Sequence, residues 1–255
     1  MREIYVVFEV EALTGEFLAG KTAVVFDVLR ATSSVIQALA SGAARVMPTM
    51  EVEEAVALRD GRPAGTVVLG GERGGLPIPG FDIGNTPQEF SPQVVGGKTV
   101  VMTTTNGTRA IVMSRGAERL YVAALVNAAA TARALAALGE GDIVLVGAGT
   151  ERRVSWEDTM AAGAVIERLI GGAASTTEGE RGAGDYLLTD SAMIALEIWR
   201  LAKGDVPGAL RRGRGGRNVM KFQLDEAFAA CGAVDRIDFA ARVKKAPLEI
   251  VVEHS

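Results

Sequence analysis

Four segments of this 255-residue chain place charged and hydroxyl side chains at the ends of apolar runs or at a helix start. Asp27 follows Val24-Val25-Phe26 and precedes Arg30-Ala31-Thr32-Ser33-Ser34, so a carboxylate, a guanidinium and hydroxyls converge where a strand should end. Gly70-Gly71-Glu72-Arg73-Gly74-Gly75 leads to Gly80-Phe81-Asp82-Ile83-Gly84-Asn85, adding two carboxylates, an arginine and an amide. Thr103-Thr104-Thr105-Asn106-Gly107-Thr108-Arg109 reads as a strand-to-helix turn dense in O–H and N–H donors. Ser155-Trp156-Glu157-Asp158 reads as a helix start, with a serine cap and acidic residues favoured by the helix dipole. Open α/β sheets bind ligands at the carboxyl ends of their strands, where three of these segments fall.

The oxygen donors Asp27, Glu72, Asp82 and Glu157 or Asp158 suit Mg²⁺, a hard cation that takes one or two carboxylates and completes its shell with water or phosphate oxygens. The remaining acids are then free to orient arginines or water. Arg30, Arg73 and Arg109 suit bidentate recognition of phosphate, carboxylate or sulfonate groups. Composition narrows the alternatives. A single cysteine, Cys231, excludes an internal disulfide and a thiolate zinc cluster, and the one histidine is His254, close to the end. Chemistry is left to carboxylates, arginines or a bound metal. The formal charge of -4 gives no global attraction for nucleic acid or an anionic membrane, and no apolar run approaches the length a bilayer demands. The cysteine usage and the acidic N-terminus, which lacks a signal-peptide pattern, lead us to expect a cytoplasmic protein.

These segments need strands and helices to position them. Short β-branched runs at 22–27, 44–47, 66–69, 99–103, 120–123 and 143–146 alternate with helical patterns at 33–41, 51–59, 108–115, 128–138, 156–170 and 191–201. That alternation predicts an α/β fold: a three-layer sandwich with a largely parallel or mixed central sheet flanked by helices, in one domain over 1–255. The Gly- and Pro-rich stretch 70–92 is too long for an ordinary connection and is expected to be functional. Segment 171–184 reads as a surface loop. Gly20-Lys21-Thr22 through Arg30-Ala31 is echoed by Gly97-Lys98-Thr99 through Arg109-Ala110, each followed by a Gly-Ala-x-Arg sequence.

Several features carry less than they suggest. Gly15 to Thr22 satisfies the phosphate-loop pattern G-x-x-x-x-G-K-T, yet a strand begins directly after it where the mechanism requires a helix. Gly147-Ala148-Gly149 lacks the third glycine of a dinucleotide fingerprint. Arg211, Arg212, Arg214 and Arg217 form a basic cluster without interleaved aromatics, expected as a solvated face or a lid rather than an RNA site. Cys231 is expected as a small buried hydrophobe.

The motifs Val25-Phe26-Asp27-Val28-Leu29-Arg30-Ala31-Thr32, Gly70-Gly71-Glu72-Arg73-Gly74 with Gly80 to Asn85, Thr103 to Thr108, and Ser155 to Thr159 with Ala162-Gly163 resemble, in order, the 2-phosphosulfolactate phosphatase family of coenzyme M biosynthesis. The resemblance covers residues 20 to 235. It implies a cytoplasmic, homo-oligomeric enzyme, a dimer in the first instance, that uses Mg²⁺ to hydrolyse 2-phospho-3-sulfolactate to 3-sulfolactate and phosphate. The residues expected in catalysis are Asp27, Arg30, Asn106 and Arg109; in substrate binding, Arg73, Thr104, Thr105, Gly107 and Thr108; at the metal, Asp27, Glu72, Asp82, Glu157 and Asp158. Asp27 has two readings, metal ligand or water orienter on one hand and phosphorylated nucleophile on the other; Leu29, where an Asp-x-Asp pair would have its second aspartate, favours the first. Trp156 stands where leucine is more usual, and 236–255 is too divergent to carry residues over. Action on another 2-phospho-hydroxy acid, or non-catalytic binding of a phosphorylated metabolite, are the competing readings.

Overall fold

The computed structural model describes residues 1–171 and 186–253, so segment 171–184 beyond its first residue, and His254, lie outside the described residues. In chain order, β1 (Arg2–Val7), α1 (Gly15–Leu18), β2 (Thr22–Phe26), α2 (Ala31–Ala40), β3 (Arg45–Thr49) and α3 (Val52–Asp60) lead to β4 (Val67–Arg73), β5 (Leu76–Pro77) and α4 (Pro92–Val95). Next come β6 (Thr99–Thr103), α5 (Gly107–Met113), β7 (Arg119–Ala123), α6 (Ala128–Ala137), β8 (Ile143–Gly147) and α7 (Trp156–Gly171). β9 (Tyr186–Leu188), α8 (Asp190–Ala202), α9 (Val206–Arg212), α10 (Arg214–Lys221) and α11 (Glu226–Cys231) precede a hairpin of β10 (Ala241–Lys245) and β11 (Leu248–Val252).

The strands form one mixed sheet of eleven, in the order β5-β4-β6-β3-β11-β10-β7-β2-β8-β1-β9. Its central strands are buried on both faces, which is why they read as unbroken apolar runs. Alternation nevertheless assigns their side chains: Val24, Phe26 and Leu145 pack with α6, α7 and α8, whereas Ala23, Val25, Val144 and Val146 pack with α2 and α5. Helices on both faces of the sheet make the three-layer α/β sandwich that the sequence predicts.

The internal echo has a structural counterpart. β2 lies parallel between β8 and β7, and β6 lies parallel between β4 and β3, with matching registers: Thr22 faces Arg119 and Ile143, while Thr99 faces Arg45 and Val67. The β10–β11 hairpin joins the two blocks through three antiparallel pairings, which sets them in opposite senses. Sheet twist of ~20–25° per strand accumulates to roughly 100–125° over the five steps from β2 to β6. This swing explains how the carboxyl ends of oppositely directed strands open onto one cleft.

The phosphate-loop string ends at the first residue of β2, so it opens no helix. β4 runs past the expected Leu69 to Arg73, because Gly70 and Gly71 pair with Met102 and Thr103 of β6. A Cβ at Gly71 would overlap the Thr103 carbonyl, and the φ of 147° there also demands glycine. β1, β9 and the β10–β11 hairpin are strands that the sequence reading did not identify.

Gly163 lets α7 and α8 approach closely: a Cβ there would overlap the carbonyl oxygen of Ala195 and stand 2.8 Å from Trp199 Cβ. Alanine gains ~1 kcal/mol of helix propensity over glycine. Overpacking a well-filled contact costs ~1–3 kcal/mol, more here because the opposing atom is backbone. Gly163→Ala is therefore expected to lower stability in urea unfolding; equal or greater stability would contradict this packing.

Candidate active site

Asp27 leaves the end of β2 and is held by the local chain. Its Oδ1 accepts from Ala31 N at 3.3 Å, and its own N–H donates to Thr32 Oγ1 at 3.0 Å, so the carboxylate caps α2. The start of α5 abuts it: a Cβ on Gly107 would stand 2.6 Å from Ala31 Cβ and 2.8 Å from Asp27 Oδ2. Glycine at 107 is what lets the two helix starts meet.

Asp158 is the anchor behind them. Its Oδ1 accepts from Val28 N at 2.8 Å and its Oδ2 from Gly149 N at 3.2 Å, tying the turns after β2 and β8 to the first turn of α7. Ser155 Oγ accepts from Asp158 N at 3.2 Å, the cap expected from the sequence. Glu157 is buried beside Gly213 and Gly215 of the α10 start, and its Oε2 has no hydrogen-bond partner. Glu72 joins the other strand ends: it accepts from Gly75 N and Thr105 N, each at 2.7 Å, and from Thr105 Oγ1 at 3.0 Å.

A cavity of about 250 Å³ opens between these turns, and Asp27, Arg30, Glu72, Thr105 and Asn106 all line it. Arg30 is buried, with Nη1 donating to Thr86 Oγ1 at 2.8 Å and Nη2 to Gly75 O at 3.1 Å. Other expected residues stand behind or outside the cavity. Thr104 and Thr108 are buried and cap each other, Thr108 N donating to Thr104 Oγ1 at 3.1 Å and Thr108 Oγ1 to Thr104 O at 2.7 Å. Asp82 holds Leu69 N at 2.8 Å. Arg73 donates to the carbonyls of Met50 and Glu72, and Arg109 pairs with Glu11 at 2.6 Å. Asp158 and Glu157 support the site from beneath.

The far wall comes from a part of the chain the sequence reading did not connect with the site. Gly215, Asn218, Lys221, Phe222 and Leu224 line the same cavity, with Thr150 and Glu151 after β8. None of the four arginines of the basic cluster lines it. Arg211 lies over the Phe228 ring at 4.3 Å, Arg214 pairs with Glu151 at 2.7 Å and Arg217 donates to Arg212 O. The polar residues at i and i+3, Asn218 and Lys221, were the available signal. Cys231 is buried, and burial pushes its thiol up to about 12, which removes it as a nucleophile near neutral pH.

No three His, Cys, Asp or Glu side chains stand close enough to hold a metal by themselves among the described residues. Asp27 and Glu72 are the expected ligands that face the cavity. Two carboxylates are what Mg²⁺ ordinarily takes from a protein when phosphate and water complete its shell, so the donor set fits that ion.

This is an α/β protein with a cleft at the carboxyl ends of two strand blocks, lined by acidic and amide groups. The 2-phosphosulpholactate phosphatase profile matches residues 8–246, and the chain belongs to that family. Similar proteins named "probable 2-phosphosulfolactate phosphatase" include one from Deinococcus radiodurans, 40% identical over 89% of this chain and 85% of its own length. Others are from Symbiobacterium thermophilum, 38% identical over 85% and 88%, and Clostridium perfringens, 35% identical over 98% and 96%.

The buried acids make stability depend on pH. Burial, then the charges of Asp158 and Glu72, pushes Asp27 up to about 8; burial raises Glu157 and Asp158 to about 7. Because these groups bind protons more tightly in the folded chain, the stability they contribute is present below about pH 4 and is lost as pH rises through about 8. Without divalent cation, the urea midpoint is expected to fall from pH 5 to pH 8, and Asp27→Asn to flatten that fall. A midpoint rising across this range would contradict the arrangement.

Proposed function

We propose that this protein is a Mg²⁺-dependent phosphomonoester hydrolase that converts 2-phospho-3-sulfolactate and water to 3-sulfolactate and phosphate. What supports this reading is the meeting of Asp27 and Arg30 with Glu72 and Asn106 in one cavity, in a chain of this family. The substrate carries phosphate, carboxylate and sulfonate on three carbons, and a cavity that combines a buried guanidinium with metal-binding carboxylates suits such a polyanion.

Asp27 and Glu72 would hold the ion, which supplies charge neutralisation of the phosphoryl oxygens and a more acidic water. Arg30 is pre-positioned by Thr86 and the Gly75 carbonyl, so its guanidinium is ordered before substrate arrives. Its charge would stabilise the negative charge redistributed over the phosphoryl oxygens as the P–O bond to C2 breaks. Asp27 retains one carboxylate oxygen, Oδ2, without a hydrogen-bond donor among the described residues, which suits a ligand or water-orienting role. The leaving oxygen would take its proton from water or from a carboxyl group of the lining.

We further propose that the chain acts as one α/β domain, in the cytoplasm, as a homo-oligomer, a dimer in the first instance, and without nucleic acid or membrane partners. One sheet drawing strands from Arg2 to Val252 supports the first point. Among the described residues, no helix is long and apolar enough to cross a membrane.

Phosphate release from 2-phospho-3-sulfolactate, phospholactate, phosphoglycerate and phosphoenolpyruvate measures the activity directly. The first compound is expected to be preferred, with turnover lost on EDTA addition and restored by Mg²⁺. No release from any of them would refute hydrolysis; preference for a sulfonate-free compound would refute the substrate. Asp27→Asn and Arg30→Ala are each expected to lower kcat/KM at least tenfold, equivalent to about 1.4 kcal/mol of transition-state stabilisation. Near-wild-type values in both variants would place the site elsewhere.

A further inference from the structure

We propose that Lys221, at the end of α10, receives the sulfonate on C3 of the substrate, the carbon next to the phosphate-bearing C2, and so sets preference for a sulfonate-bearing substrate. The inference rests on the phosphatase reading above and assigns one wall of that site.

Charge placement carries it. A ligand with three anionic groups needs more than Arg30, whose two terminal nitrogens already hold Thr86 and Gly75. Arg73 and Arg109, the other arginines of the motifs, are occupied at Met50 and Glu11 outside the cavity. Lys221 is the other cation that lines the cavity, and among the described residues it has no carboxylate or carbonyl partner. Its ammonium lies 5.6 Å from the centre of the Phe222 ring. Asn218 and Lys221 are three apart in one helix and share a face; the Asn218 amide engages the Glu151 carboxylate, so Lys221 is left to offer its ammonium to the ligand. A flexible ammonium with three donors can follow a tetrahedral sulfonate or a planar carboxylate.

The wall is also fixed in place. At the start of α10, Gly213 and Gly215 lie so close to Glu157 that a Cβ on either would overlap its carboxylate. Arg214 pairs with Glu151 at 2.7 Å. Just past the helix end, Phe222 lies against Gly75, where a Cβ would overlap the ring and φ is 88°. Glu157, the β8 turn and the β4–β5 hairpin thus hold both ends of α10, and Lys221 is presented from a braced helix.

The test compares 2-phospho-3-sulfolactate with 2-phospholactate, which keeps phosphate and carboxylate but lacks the sulfonate, in wild type, Lys221→Ala, Lys221→Glu and Lys221→Arg. Circular dichroism and the urea midpoint check that each variant is folded. The wild type is expected to favour the sulfonate; Lys221→Ala should lower the ratio of kcat/KM values at least tenfold, Lys221→Glu further, and Lys221→Arg should keep most of it. Calorimetry with 3-sulfolactate and lactate, which needs no turnover, is expected to show the same dependence on Lys221. An unchanged ratio in Lys221→Ala and Lys221→Glu, or a wild type indifferent to the sulfonate, would overturn the inference. Lys221-dependent binding of 3-sulfolactate without hydrolysis would overturn the phosphatase reading while leaving this one standing.

Discussion

Three carboxyl groups are buried together, Asp27 in the cavity lining and Glu157 and Asp158 behind it, and burying like charges is costly unless they are protonated, hydrogen-bonded or neutralised. The chain meets that constraint differently at each one. Asp158 is satisfied by the backbone N–H groups of Val28 and Gly149, so its charge also fixes the two turns that frame the site. Asp27 caps α2 with one oxygen and keeps the other available. Glu157 has an orphaned oxygen under the glycine-rich start of α10. One acid therefore builds the frame, one faces the cavity and one seats the opposing wall.

The sheet explains why such a cluster forms at all. Two blocks with matching register, one around β2 and one around β6, are joined by a hairpin that reverses their sense. A flat sheet would send their carboxyl ends to opposite edges; accumulated twist brings them to one cleft. The blocks then differ in chemistry at equivalent places. Phe26 and Thr103 occupy matching positions in register, so Asp27 in one block corresponds to Thr104 in the other. The carboxylate serves the cavity, and the threonine became part of a mutual cap with Thr108. A repeated scaffold thus yields a single, asymmetric site.

What the sequence revealed follows this logic. Asp27, Arg30, Glu72, Thr105 and Asn106 were legible because polar residues directly after buried β-runs must emerge at strand ends, whatever the topology. Helices α2, α3, α5, α6, α7 and α8 fall within two residues of expectation, and all but α3, which buries only Ala55, present a regular apolar face. The destinations of Arg73 and Arg109 were not legible, since a guanidinium on a long side chain can reach several partners and only tertiary structure selects Met50 O or Glu11. Equally hidden was the α10 wall. Arg211 to Arg217 dominate its charge pattern yet bond locally or outward, whereas the cavity-facing Lys221 looks like any surface lysine. The β10–β11 hairpin was not legible because each strand is only five residues long, with Arg242, Lys244 and Lys245 crowding the first, and it gains meaning only as the joint between blocks.

The net charge of -4 describes the surface and misleads about the cleft in an instructive way. The cavity is not positive by itself: Asp27, Glu72 and Glu151 line it against Arg30 and Lys221. A phosphate carrying about -1.5 to -2 together with two further acids could not enter such a lining favourably on side chains alone. A pocket meant only to bind that ligand would dispense with its acids, since each must be protonated or neutralised before the ligand can enter. Keeping two of them oriented toward the cavity makes physical sense when a divalent cation joins the ligand there. On the proposed reading the acidic lining would fix the ion, leaving Arg30 and Lys221 for the groups the ion does not reach.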